Sequence, residues 1–131
     1  MIIKQVSVFV ENQPGRLAEM LKVLRDQNIN IGALSVADGP DFGIVRIVFE
    51  DIERGLAALR QGGFTVRTTD VLKAEIPDKP GGLLESIVQP LAAAGINVEY
   101  VYAFVDPTPG IANVVLKVRD VVKAEQLLKS R

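Results

Sequence analysis

The residues with the clearest chemical potential lie in two matched turns. Residues 11–17 are Glu-Asn-Gln-Pro-Gly-Arg-Leu and residues 77–83 are Pro-Asp-Lys-Pro-Gly-Gly-Leu. Each turn places a Pro-Gly pair where a helical pattern begins, and the first N–H groups of a helix have no partner within that helix. Because the helix dipole favours an anion there, an amino-acid carboxylate fits either turn. The candidate ligand-binding residues are Asn12, Pro14, Gly15, Arg16 and Leu17 in the first turn, and Asp78, Pro80, Gly81, Gly82 and Leu83 in the second.

The alternative interpretation of both turns is structural. Pro-Gly starts a helix well without any ligand, although glycine also allows a close approach that a side chain would block. Asn12 and Asp78 could contact an ammonium group or could act only as turn and capping residues. Arg16 could pair with a carboxylate or could be a solvated first-turn residue. Since Gly82 stands in its place in the second copy, the two turns need not be equivalent.

A second pair of polar candidates follows each helical pattern. Asn30 lies in Ile-Asn-Ile and Asn97 lies in Ile-Asn-Val, each at the start of a predicted strand. A side-chain amide can donate to a carboxylate and accept from an ammonium group. It can equally hold the backbone of its own turn. Asn30 and Asn97 are therefore candidate ligand-binding residues with this alternative open.

The composition excludes most other site chemistry. The 131 residues contain no Cys and no His, so thiolate, disulfide and imidazole chemistry are absent. The acidic residues of the turns show no metal-ligand spacing, and we predict no metal, no other cofactor and no enzyme activity. The net charge of −1 and the lack of a long apolar run predict no nucleic-acid partner and no membrane partner. The N-terminus alternates like a strand rather than a signal peptide, which predicts a cytoplasmic protein.

The apolar patterns around the turns predict the same order of elements twice. In the first half we expect strands at 2–10, 29–37 and 42–50, a helix from Pro14 to about residue 27, and a helix capped by Asp51. Residues 64–76 form one extended segment. In the second half we expect a helix after Pro80, strands at about 96–105 and 111–118 joined by residues 106–110, and a helix capped by Asp120.

This order predicts an α+β fold built from two ferredoxin-like βαββαβ units, each with helices on one face of an antiparallel sheet. The first unit covers residues 1–69 and the second covers residues 70–131. The second unit lacks residues for its last strand after the final helix. One hypothesis is that residues 2–5 supply that strand, with strand exchange between the units. The apolar residues expected on the helix-free sheet faces, including Tyr100 and Tyr102, predict a homodimer.

The spacing of the two copies changes by one residue along the repeat. The Pro-Gly pairs are 66 positions apart (14 to 80), whereas the inward helix positions are 67 apart (17, 20, 21 and 24 against 84, 87, 88 and 91). We therefore place the extra residue in the turn at Gly81 and Gly82, which predicts a wider second turn. Pro90 deletes a helical hydrogen bond and is expected to bend the second helix.

The two copies resemble the ACT domain, a small regulatory amino-acid-binding module. The resemblance rests on [ND]-x-P-G-x-L, followed about 14 residues later by [GN]-I-N-[IV]. This pair of motifs occurs once in each half, and the two copies together cover almost the whole chain. It implies that two modules associate and that a free amino acid binds at their interface. In such sites the loop between the first strand and the first helix supplies backbone groups. The partner's second-strand region supplies a polar side chain.

The resemblance further implies regulation of a metabolic enzyme or a transcription regulator. No catalytic or DNA-binding segment is attached to the two copies, so the regulated target would be a separate protein. We therefore expect an amino-acid sensor that acts on a separate partner. The alternative is a non-catalytic structural or regulatory subunit that binds no ligand.

Overall fold

The computed structural model describes residues 1–105 and 108–130. Its strands are β1 (Ile2–Glu11), β2 (Ile31–Ala37), β3 (Phe42–Phe49), β4 (Thr65–Pro77), β5 (Val98–Ala103) and β6 (Ile111–Val118). Its helices are α1 (Arg16–Asp26), α2 (Ile52–Gln61), α3 (Gln89–Ala93) and α4 (Val121–Lys129), and a π-helical turn at Leu84–Val88 leads into α3. This order confirms the predicted α+β fold with two ferredoxin-like units. Asp106 and Pro107, which begin the predicted connection at 106–110, lie outside the described residues.

The contacts divide the chain into two compact units. The N-terminal unit is Lys4–Thr69, and the C-terminal unit is Met1–Ile3 together with Asp70–Arg131. Strands β1 and β4 each contribute residues to both units. Within the C-terminal unit, the Met1 amine donates to the Lys73 carbonyl at 3.0 Å and the Lys73 N–H donates to the Met1 carbonyl at 2.8 Å. The start of the chain is therefore paired with β4 in that unit.

The N-terminal unit contains the strand order β2-β3-β1, with both pairs antiparallel. Alternate residues of β1 point to one face, where Val6, Val8 and Val10 are buried. They pack in a core with residues of the two helices and of β3: Met20, Leu24, Val45, Ile47, Leu56 and Leu59. This alternation in the strands and the 3.6-residue period in α1 and α2 decide which faces are buried. The Pro-Gly turn lies at the end of the unit where β1 passes into α1.

The C-terminal unit contains the antiparallel order β4-β6-β5. Its core is formed by Leu72, Ile87, Leu91, Val114, Leu116, Val118 and Ala124. A bulge between Val98 and Tyr100 leaves Glu99 as the extra residue of β5. On the opposite face the rings of Tyr100 and Tyr102 stack with centroids 6.4 Å apart. None of the helices in the described ranges is long and apolar enough to cross a membrane.

Both predicted N-caps are present. The Asp51 carboxylate accepts a hydrogen bond from the Arg54 N–H at 3.3 Å, and the Asp120 carboxylate accepts one from the Lys123 N–H at 3.0 Å. These two aspartates occupy equivalent positions at the start of α2 and α4. The second helix of each unit therefore begins in the same way.

The extra residue of the second copy lies in its helix, so the prediction of a wider second turn is wrong. Four backbone N–H donors of the first turn and its helix, at 12, 13, 16 and 19, have counterparts at 78, 79, 82 and 85, still 66 positions apart. The following π-helical turn, in which the Gln89 N–H donates to the Leu84 carbonyl, takes up one more residue. Pro90 has no N–H for an α-helical bond to Ser86, so the regular ladder is interrupted there in any case.

The same shift corrects one predicted core position. Leu84 is 49% exposed rather than inward-facing, whereas Leu83 packs against the C-terminal core. Leu83 therefore corresponds to Leu17, and the register moves to 67 only at Ile87. The hydrophobic spacing in the sequence allows either Leu83 or Leu84 to face the core. The backbone hydrogen bonds, which keep the offset of 66 as far as Glu85, place Leu83 there.

Candidate functional site

The first Pro-Gly turn is fixed by bonds to the β2–β3 hairpin. The Asn12 N–H donates to the Asp41 carbonyl at 3.0 Å, and Asn12 Nδ2 donates to the Gly39 carbonyl at 2.8 Å. Gly15 then adopts a left-handed conformation with φ +88° before α1 begins. Most residues avoid this region, so glycine meets a conformational requirement here. Asn12 therefore holds this turn to the hairpin through both its backbone and its side chain.

Several backbone donors at the start of α1 have no acceptor. The Arg16 N–H reaches the Gln13 carbonyl at 3.3 Å, and the Glu19 N–H reaches the Gly15 carbonyl at 3.0 Å. The N–H groups of Gly15, Leu17 and Ala18 make no hydrogen bond within residues 1–105 and 108–130. This short stretch therefore offers adjacent donors to an anion, and the dipole of an 11-residue helix adds to the attraction.

Arg16 and Glu19 form a close ion pair on the first turn of α1. Arg16 Nη1 lies 2.8 Å and 2.9 Å from the two carboxylate oxygens of Glu19. Arg16 Nε is buried and has no hydrogen-bond partner in the described part of the chain. The pair holds the Glu19 carboxylate at the guanidinium group. A methyl group on Gly15 would accordingly meet no atom within 4 Å.

A cavity of about 160 Å³ lies beside this turn. Its apolar wall includes Val10, Leu17, Val36 and Val45, and its polar lining includes Glu11, Asn12 and Asp38. The volume corresponds to about five water molecules at ~30 Å³ each. Val36 and Phe42, near the same end of the unit, are 53% and 56% exposed. The cavity is therefore small and largely apolar, and its lining includes the exposed side chain of Val36.

The second turn has the same backbone and different surroundings. Gly81 has φ +80°, close to the value at Gly15, and the Asp78 N–H donates to the Gly110 carbonyl at 3.1 Å. A methyl group on Gly81 would lie 3.2 Å from Glu85 Oε1. One on Gly82 would overlap the Pro77 carbonyl oxygen, so this position requires glycine. The second turn is tighter than the first, and a carboxylate lies beside it.

The remaining predicted residues divide between the turns and the opposite end of each unit. Pro14 and Pro80 are exposed at their turns, while Leu17 and Leu83 pack against the cores. Asn30 precedes Ile31, which pairs with Phe49 at the end of the sheet away from the Glu11–Phe42 pair. The length of α1, about 16 Å, separates the two ends. Within a unit the structure therefore does not bring Asn30 to the Pro-Gly turn.

Asn97 lies at the corresponding far end of the C-terminal unit, on a cavity of about 800 Å³. This cavity also has three basic residues, Lys117, Arg119 and Lys123, which the sequence analysis missed. An alignment of the two copies could have found them. The last strand and the second helix of the two copies align with an offset of 69 positions. At this offset Lys117 corresponds to Val48, Arg119 to Glu50 and Lys123 to Arg54.

Comparisons with known proteins give a consistent family. The family model described as an ACT domain pair matches residues 1–129. Protein BT0572 from Bacteroides thetaiotaomicron is 38% identical, with a TM-score of 0.90 over 99% of this chain and 88% of that chain. No curated protein matches the sequence significantly. No catalytic family is indicated by these matches.

More distant structures share the fold. The regulatory subunit of aspartate kinase from Thermus thermophilus, in its ligand-free form, is 16% identical with a TM-score of 0.68, over 99% of this chain and 94% of that chain. The regulatory subunit of aspartate kinase from Thermus flavus is 19% identical with a TM-score of 0.66, over 99% and 92% of the two chains. At these identities the likeness establishes the architecture.

Proposed function

Since the chain belongs to the ACT domain pair family, we propose that it is a regulatory protein that binds a free amino acid at the first Pro-Gly turn and passes that state to a separate metabolic enzyme. The observation that carries this proposal is the open turn at Gly15 beside an apolar cavity. The regulatory subunits of aspartate kinase that share the fold support a regulatory role of this kind.

The ligand's carboxylate binds the free amides at the start of α1. The N–H groups of Gly15, Leu17 and Ala18 supply the donors, and Pro14 fixes the chain direction ahead of them. Arg16 adds a positive charge at the same place. The Arg16–Glu19 bonds keep the Glu19 carboxylate from competing for these donors. The ligand's ammonium group is then directed toward the acidic residues Glu11 and Asp38 of the adjoining cavity.

The ligand's side chain enters the 160 Å³ cavity. Leu17, Val36 and Val45 offer it an apolar surface, which favours burial of methyl and methylene groups. The space suits a group of roughly five non-hydrogen atoms or fewer, judged by the ~30 Å³ share of one water molecule. We therefore propose a small aliphatic amino acid rather than a dicarboxylic or aromatic one.

The second turn is not used in the same way. Glu85 lies close beneath Gly81, and Gly82 stands where the first turn has Arg16. An incoming carboxylate would be repelled by the nearby carboxylate of Glu85, and position 82 has no side chain that could offset this repulsion. We propose one amino-acid site per chain, formed by Asn12, Pro14, Gly15, Arg16 and Leu17. Asp78, Pro80, Gly81, Gly82 and Leu83 then serve the fold of the second unit.

A second copy of the chain completes the site. Asn30 lies at the far end of its own unit, so it can contact a ligand at the turn only from another molecule. Val36 and Phe42, more than half exposed near the cavity, supply apolar surface for that contact. We propose a homodimer in which Asn30 of the second copy covers the bound amino acid. The rival proposal is a structural or regulatory subunit without a ligand, and the open cavity favours the sensor.

A thermal-shift screen of the purified chain against the standard amino acids tests the proposal. Ligand that binds only the folded state raises the melting temperature by mass action. A selective rise with one or two small aliphatic amino acids is expected. If none of them raises the melting temperature at millimolar concentration, the sensor proposal fails and the subunit without ligand is supported.

A further inference from the structure

The largest of the cavities described above lies away from the proposed amino-acid site. It has a volume of about 800 Å³ and lies wholly within the C-terminal unit. Its walls come from the segment after α3 (residues 95–97), the bulge residue Glu99 and the start of α4. The Pro-Gly turn of this unit is at the opposite end of the sheet. A ligand here would therefore be independent of the turn.

Three basic and two acidic residues line this cavity, and the acidic residues are already engaged. Glu99 lies 3.5 Å from Lys117 Nζ, which also donates to the Val118 carbonyl at 2.8 Å. Asp120 caps α4 through the Lys123 N–H at 3.0 Å. The Glu99 carboxylate thus offsets the charge of Lys117, and the Asp120 carboxylate accepts a hydrogen bond at the start of α4. They form no ion pair with the two remaining cations.

Those two cations are Arg119 and Lys123. Neither side chain makes a hydrogen bond or ion pair with any residue of the described ranges, and neither does the side chain of Asn97. All three border the same cavity. Two unpaired positive charges and an amide donor therefore line one space, and such a set of groups suits a doubly charged anion.

The other unit provides an internal control, because its equivalent positions carry different chemistry. Glu99 and Lys117 align with Gly32 and Val48, and Arg119 aligns with Glu50. The counterpart of Lys123 is Arg54, whose Nη2 is bound to the Gln27 carbonyl at 2.6 Å. The fold alone therefore does not require a basic cluster here. The cluster is particular to the C-terminal unit.

We propose that this cavity binds the phosphoryl group of a small phosphate monoester. Arg119 pairs with two phosphate oxygens in the bidentate manner of a guanidinium group, while Lys123 and Asn97 contact the others. The volume exceeds what a phosphate ion needs and falls in the range of small-molecule sites, about 300–1,000 Å³. Inorganic phosphate shares the recognised chemistry and is the minimal probe.

The test is an NMR titration of the full chain with sodium phosphate and, separately, with glycerol 1-phosphate, against sodium chloride at matched ionic strength. We expect saturable amide shifts confined to residues 95–99 and 117–123. The Arg119→Gln/Lys123→Gln double variant should raise the dissociation constant at least about tenfold, because charge-assisted hydrogen bonds are lost. Arg54→Gln, at the equivalent place in the other unit, should leave it unchanged.

The two phosphate probes separate the sources of the phosphoryl group. Tighter binding of glycerol 1-phosphate supports a monoester ligand, whereas equal binding assigns the site to free phosphate and removes the monoester. Shifts that do not saturate with either probe overturn the proposal. Shifts that survive unchanged in the double variant also overturn it. Arg119 and Lys123 are exposed, so the variant spectrum should match the parent elsewhere.

Discussion

The turn at Asn12–Gly15 and the turn at Asp78–Gly81 share a backbone and differ in charge. Their hydrogen-bond donors correspond one for one, and both central glycines are left-handed. In the first, Arg16 holds Glu19 and leaves the space at Gly15 open; in the second, Glu85 lies beside Gly81 and no arginine is present. A duplicated motif can therefore keep its backbone while the charges and the open space around its two copies differ.

Gly82→Ala should cause the largest loss of stability among these substitutions, because it disrupts the backbone of the second turn. The added methyl would overlap the Pro77 carbonyl oxygen, a backbone atom that cannot move without the strand. We expect a loss of about 2–4 kcal/mol in the free energy of unfolding, measured by urea denaturation. Arg16→Ala at the equivalent position should stay within about 0.5 kcal/mol. Equal effects of the two substitutions would contradict the difference between the turns.

Gly15→Ala and Gly81→Ala form a matched pair for ligand binding. Each alanine takes a left-handed conformation at a cost of about 1–2 kcal/mol, so both variants should lose stability. Only Gly15→Ala adds a methyl to the open space in which the ligand's carboxylate is proposed to lie. It should weaken the amino acid found by the thermal-shift screen at least about tenfold by calorimetry. A larger loss of amino-acid affinity in Gly81→Ala than in Gly15→Ala would place the binding site at the second turn instead of the first.

Glu85→Gln removes the negative charge beside the second turn. With the carboxylate gone, a second and weaker binding step is expected in the calorimetric titration. Its affinity should stay at least about tenfold below the first, because Gly82 offers no cation. Glu19→Gln serves as the control and should leave one site per chain. If Glu85→Gln still binds one amino acid per chain, the charge of Glu85 is not what prevents binding at the second turn.

The smallest expected effect is a difference in how the stability of the two units depends on pH. Leu56 in α2 and Glu125 in α4 occupy equivalent positions. Burial raises the pKa of Glu125, but Lys129, the Ile2 N–H at 2.9 Å and the amino terminus outweigh burial and hold the pKa below its ordinary value. A lowered pKa contributes stability above the unfolded pKa of about 4.3, which is lost as the pH falls through the folded value. Leu56 contributes no such dependence.

Acid should therefore loosen the C-terminal unit first. Hydrogen exchange should become faster at residues 2–3 and 121–129 as the pH falls below about 4.3, with less change around α2. In Glu125→Gln this difference in pH response should disappear. Acid sensitivity that persists in Glu125→Gln would assign the effect to other carboxylates.

Most of the fold could be predicted from the sequence because the signals are local. The Pro-Gly turns, the alternating strands and the caps at Asp51 and Asp120 each depend on neighbouring residues. The location of the extra residue could not be predicted, because a 67-residue spacing is satisfied equally by a longer turn and by a π-helical turn. Only the backbone bonds distinguish these two cases. In the structure Leu84 is exposed, whereas the partly buried Leu83 packs against the core.

The candidate site was less predictable, because its properties depend on contacts between side chains. The sequence contains Glu19 and Glu85 at matching positions, and only their contacts show that Arg16 binds Glu19 whereas Glu85 lies close to Gly81. Amide chemistry makes Asn30 a candidate, and its position at the other end of the unit from the Pro-Gly turn follows only from the strand pairing. The basic cluster required an alignment of the two hairpins that allows for their unequal loops.

The most direct test of one amino-acid site per chain is to follow the Gly15 and Gly81 amide signals of the labelled protein by NMR. The titrant is the amino acid that gives the largest thermal shift. We expect a saturable shift of the Gly15 signal and an unchanged Gly81 signal. A saturable shift of Gly81 that equals or exceeds that of Gly15 would contradict it.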